Sequence, residues 1–212
     1  MWIWIEQRRA LSDNGSVLSV FISRVADTIG CPPGEYTLTV LHKMANYERR
    51  EHYDAAINAG IAWTQAYPQD GLNDMVFIGI AWEYLKKAQH DSTHVDYDVH
   101  QALLYRDKAL PAGSENQIGW HSVKAMRDLA LLSEVAGDLS PMRRCLQYEN
   151  SIKLLERRTA MLRDKQDEIS RRFVLDKEDL TVKDVEYFSD ETRAAIERVQ
   201  RKQQHDGCGS GQ

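Results

Sequence analysis

An all-α fold of antiparallel helical hairpins is the prediction, and three observations carry it. Apolar residues recur at helical spacing over most of the chain. Runs of β-branched residues are few, and with only 5 Pro and 12 Gly in 212 residues helix is the natural class. The stretch from Tyr53 to Tyr84 reads as one amphipathic helix, a proline-marked turn and a second amphipathic helix. A hydrophobic content of 42% with 28% charge is that of a soluble globular chain long enough to bury a core.

Residues 1–35 admit two readings. Trp2, Ile3, Trp4 and Ile5 form an apolar patch, and Val17, Val20, Phe21, Val25 and Ile29 carry a helical pattern behind Ser12-Asp13-Asn14-Gly15. The segment either caps the open end of a helical stack, whose terminal unit otherwise exposes an apolar face, or is an arm whose tryptophans dock on another molecule. Cys31-Pro32-Pro33-Gly34 then breaks the chain. A short helix from Tyr36 to Tyr47 turns Leu38, Leu41, Met44 and Ala45 inward.

From Tyr53, the residues Ala55, Ala56, Ala59, Ala62, Trp63 and Ala66 line one helix face, and small side chains there let another helix approach closely. Pro68 ends this helix and Gln69-Asp70-Gly71 supplies the turn. Val76, Phe77, Ile80, Ala81, Tyr84 and Leu85 form the next apolar face. Gly79 within it costs roughly 1 kcal/mol against Ala, which predicts a close packing contact.

A partner helix runs from about Tyr97 to Leu110, and Pro111-Ala112-Gly113-Ser114 ends it. The following helix opens near Asn116 and is capped at Gly137, with Ser140-Pro141 starting its successor. That successor extends to about Phe173, charged and solvated beyond Leu155, with Leu154, Leu155, Ala160, Met161, Leu162 and Ile169 as a sparse stripe. Thr181-x-x-Asp184 and a Ser189 cap introduce a final helix to about Gln204. Its Val185, Phe188, Ala195, Ile196 and Val199 are placed to fold back on the long helix.

These positions resemble the tetratricopeptide repeat, a helix-turn-helix unit of about 34 residues. Ile78-Gly79-Ile80-Ala81-Trp82 stands where the family has Leu-Gly-x-x-Tyr, Ala56 and Pro68 match its alanine and closing proline, and Leu129 to Asp138 resembles its first-helix ending. Gly60 and Trp63 depart from the pattern. The resemblance implies a short α-solenoid of about three hairpins over 36–155; the residues beyond it read by themselves as a charged helical extension over 156–205 and a disordered tail over 206–212.

It also implies a concave groove that binds a protein partner, as an extended peptide or a helix. Asn73, Val76, Ile80 and Glu83 would line it from one repeat, and Lys124, Arg127 and Leu131 from the next. Val76, Ile80 and Leu131 read equally well as inter-helix core.

Other function classes find less in the sequence. A net charge of −5 argues against general nucleic-acid binding, which needs surplus Lys and Arg. The basic pairs Arg143-Arg144, Arg157-Arg158 and Arg171-Arg172 are interleaved with acids and read as a solvated face. No apolar run reaches the roughly 18 residues of a membrane span.

Cys31, Cys145 and Cys208, odd in number and far apart, give neither a disulfide framework nor a metal pair, and point to a reducing, cytoplasmic setting. His90, Asp91, His94, Asp96, Asp98 and His100 are the one local set of candidate Zn or Ni ligands, in a spacing that matches no known site. No nucleophile, phosphate-loop or metalloprotease motif is present, so neither an enzyme nor a cofactor is expected. Self-association through the C-terminal helices is the remaining alternative.

Overall fold

The computed structural model describes residues 33–71, 73–109, 120–171 and 181–208. The described residues form seven α-helices and one short 3-10 turn, with no strand. They are α1 (Pro33–Glu48), α2 (Tyr53–Ala66), α3 (Asn73–His90), the turn Ser92–His94, α4 (Val95–Ala109), α5 (Trp120–Leu139), α6 (Arg144–Arg171) and α7 (Val182–His205). The cap-or-arm question for the N-terminus lies outside the described residues.

Each helix packs on the next, as short connections between amphipathic helices require. In addition α1 touches α3 and α3 touches α5, so α3 is packed against four neighbours. The core follows the chain in three parts. Val40, Met44, Ala56, Ile57, Val76 and Ile80 join α1, α2 and α3. Ile78, Leu85, Val99, Met126, Leu129 and Leu132 are among those joining α3, α4 and α5, and Val123, Leu162 and Val185 join α5, α6 and α7.

Two glycines set how closely α1, α2 and α3 approach. A Cβ on Gly60 would lie 2.6 Å from Ile80 and 3.0 Å from the Met44 sulfur, and one on Gly79 would lie 3.2 Å from Met44. Met44 therefore occupies the space that both glycines leave, and the close contact expected at Gly79 is present.

Helix ends follow local chemistry. The chain leaves α1 through Glu51, which has φ 59, with the N–H of Glu51 donating to the Glu48 carbonyl and that of His52 to the Tyr47 carbonyl. This is the doubly bonded helix stop that normally uses glycine. Thr181 and Asp184 form a reciprocal capping box at the start of α7. Ser189 is not a cap: it lies inside α7 and its hydroxyl donates to the Val185 carbonyl.

Gly137 does not end α5 either, because the helix continues to Leu139. A Cβ there would lie 2.9 Å from Tyr148 and 3.2 Å from the Arg144 carbonyl, so glycine serves the close approach of α6.

The solvated reading of α6 also changes. Leu155, Leu162 and Arg158 are buried, because α7 folds back along α6 and covers them. The two helices are antiparallel, joined at one end by a disulfide between Cys145 and Cys208 and further along by Arg158 donating to Thr192. That disulfide corrects the reading of the cysteines as unpaired. Their separation of 63 residues hid a pairing that depends on the direction of α7. Asp206 to Cys208 are accordingly a turn held against α6, while 209–212 lie outside the described residues.

Candidate partner-binding face

The seven residues expected to line a groove separate into two groups. Val76 and Ile80 are fully buried, which is the core alternative for those two, and they present no surface to a partner. Asn73 is buried at the start of α3, where its side-chain amide donates to the Tyr67 carbonyl at 2.7 Å and closes the turn after α2. Glu83 is only 3% exposed, facing Glu48 of α1 and Lys86. Burial pushes its carboxyl up to about 8; Lys86 opposes that shift and Glu48 adds to it. The α3 contribution is thus structural.

On α5 the residues lie nearer the surface. Lys124 and Arg127 are half-buried and Leu131 is 38% exposed. Arg127, Leu131, Glu134 and Asp138 fall at i, i+4, i+7 and i+11, one stripe of an α-helix. A helix already lies beside that stripe. Arg127 donates to Glu191 at 3.4 Å, Arg198 grips Glu134 with two bonds of 2.9 and 2.6 Å, and Lys202 reaches Asp138 at 2.6 Å.

All three pairs have a sequence separation of 64, so α7 runs parallel to α5 in a fixed register. Lys202 also meets Glu134 at 2.9 Å. Burial would raise the Glu134 carboxyl, but the bonds from Arg198 and Lys202 outweigh it and hold the group below its ordinary value.

Beneath this layer Arg158 of α6 is 1% exposed and binds two other helices. It donates to the Val123 carbonyl on α5, to Thr192 and to Glu191 on α7, at 2.8 to 3.1 Å. Burial lowers its pKa and Glu191 offsets part of that. Arg106 does the same one step earlier, donating to Ser133 and Gln147 at 2.8 Å each and so joining α4, α5 and α6. Both arginines sit in helical segments of mixed charge and were indistinguishable in sequence from their solvated neighbours.

Toward the end of α7 the face opens into a cleft of about 440 Å³ lined by Asp138, Tyr148, Arg198, Arg201, Lys202, His205 and Asp206. The Tyr148 hydroxyl donates to Asp138 at 2.7 Å and contacts Asp206 at 3.2 Å. Burial raises that phenol, and the two carboxylates add to the shift.

The His/Asp stretch forms no comparable site. Asp91 accepts from the Thr93 N–H at the 3-10 turn, His90 faces Glu51 at 3.7 Å, and Asp98 is buried. Among the described residues no three His, Cys, Asp or Glu side chains are grouped to hold a metal ion. None of the described helices is long and apolar enough to cross a membrane. Comparison with protein-family models, with curated proteins and with solved structures found no match in any of the three.

Proposed function

We propose that the chain is a non-enzymatic, tetratricopeptide-like interaction module whose partner-binding face is the less buried part of the α5 stripe, Arg127, Leu131 and Asp138. The observation that carries this reading is the in-register seating of α7 beside that stripe. A surface that holds one amphipathic helix by Glu, Arg and Lys at i, i+7 and i+11 has the chemistry to recognise another. The contacts of α1 with α3 and of α3 with α5 support a repeat-like stacking. The partner is then a helix or extended peptide with a basic residue opposite Asp138.

A pull-down from source lysate tests this, with the wild type beside Leu131→Asp and circular dichroism confirming that both remain helical. Loss of a specific co-purifying protein from the variant supports the reading. An identical set of partners contradicts it.

A second reading, self-association, has its own observation. Tyr97 and Leu104 on α4 and Met142 and Leu146 beside the start of α6 are exposed, Met142 to 93%. Arg143 meets His100 and Gln147 meets Arg106, which brings these segments side by side. Exposed apolar patches mark contact surfaces. A concentration series in analytical ultracentrifugation with Met142→Asp and Leu146→Asp separates this reading from the first.

The cytoplasmic location expected from the cysteine count now stands against the Cys145–Cys208 bond, since disulfides in a reducing compartment are usually transient. A bond that opens and closes in use reconciles the two.

A further inference from the structure

We propose that the Cys145–Cys208 disulfide is a redox latch on the C-terminal turns of α7, opened by a dithiol reductant to free Lys202 and uncover Asp138 and the adjoining cleft. The consequence for partners rests on the function proposed above, whereas the latch chemistry does not.

Access comes first. Cys145 is exposed and Cys208 half-buried, so the sulfur pair is open to attack. Cys145 is the second residue of α6, with Arg143 and Arg144 immediately before it. A helix N-terminus stabilises a thiolate, which makes Cys145 the better leaving group of the pair.

The reductant's thiolate attacks the Cys208 sulfur and forms a mixed disulfide, expelling the Cys145 thiolate, which takes up a proton. The reductant's second thiol then attacks its own sulfur in that mixed disulfide, and Cys208 leaves as a thiol. Two electrons and two protons pass from the dithiol, which ends as a disulfide, to the two cysteines.

What the bond holds is legible from the rest of α7. Val185, Thr192 and Val199 are the buried residues of this helix, and none lies beyond Val199. Past that point the remaining contacts are polar: Lys202 to Glu134 and Asp138, and Asp206 to Tyr148 and Arg144. The Asp138 and Asp206 pairs are partly exposed and of a kind that adds little to stability, and buried Glu134 keeps Arg198 when Lys202 leaves. The disulfide is therefore the restraint on these last turns, and α7 nearer Thr192 stays anchored by its apolar side chains and Arg158.

Hydrogen exchange read by mass spectrometry on the full chain tests the latch, with and without dithiothreitol. The expected result is exchange about tenfold or more faster over 200–207 after reduction, the same in unreduced Cys208→Ser and Cys145→Ser, and no change over 182–192. Exchange over 200–207 that ignores reduction would overturn the proposal. So would free thiols at both Cys145 and Cys208 after treatment with an oxidised dithiol. Neither result depends on a partner, so failure of the latch is distinct from failure of the binding face.

Discussion

Glu83 couples stability to pH, and the direction follows from its surroundings. Its carboxyl is raised from 4.5 to about 8, chiefly by burial. Between those values the unfolded chain gives up a proton that the folded chain keeps. The stabilisation is complete below about pH 4.5, is lost progressively as pH rises to about 8, and changes no further above. Each pH unit inside the window costs up to about 1.4 kcal/mol. Denaturant titrations from pH 5 to 9 should show this decline in the wild type and a flatter profile in Glu83→Gln; equal slopes would remove Glu83 as the cause.

Two further residues have effects of opposite sign. Gly60→Ala places a methyl 2.6 Å from fully buried Ile80 and should cost about 1–3 kcal/mol in chemical denaturation. Glu51→Gly should stabilise by about 0.5–1 kcal/mol, because Glu51 has φ 59 where glycine carries no Cβ penalty. A neutral Gly60→Ala or a destabilising Glu51→Gly would contradict these assignments.

At the scale of elements, α7 is the helix on which most depends. Its apolar side chains close the last part of the core and its charged ones fill the α5 stripe. Arg158 joins it to α5 and α6, and its removal leaves Glu191 and Thr192 without their shared donor. Arg158→Ala should therefore cost about 2–4 kcal/mol from the lost bonds of a buried guanidinium, while Glu191, a third exposed, keeps Arg127. Arg157→Ala, one residue away and exposed, should cost less than about 0.5 kcal/mol when both variants are compared by chemical denaturation. Equal effects at the two positions would mean that α7 does not cover this face of α6.

At the scale of the whole molecule, helical periodicity made most of the fold legible. The helices over Tyr53–Ala66 and Asn73–His90, the Thr181–Asp184 box and the folding back of Val185 and Val199 were readable, because each depends on residues close in sequence. Gly137 was misread as a cap because only the approach of Tyr148 explains it.

The candidate face was less legible for the same reason. Arg127 and Leu131 could be placed on α5, but Glu134 and Asp138 acquire meaning only from a parallel helix 64 residues later. The Cys145–Cys208 pair and the buried Arg106 and Arg158 likewise depend on contacts that no local pattern encodes. Asn73, Val76, Ile80 and Glu83 were groove positions only through the resemblance to the tetratricopeptide repeat, with Val76 and Ile80 equally readable as core, because a repeat pattern does not say what covers a face.

The side-chain pairing of α7 with α5 within one chain can be read directly. Carbodiimide coupling joins an amine to a carboxylate that it already contacts, and mass spectrometry of the monomer fraction then reads the pairs. Linkage of Lys202 to Glu134 or Asp138 is expected in that fraction, lost in Lys202→Gln. Linkage of Lys202 only between chains, or to other carboxylates alone, would contradict it.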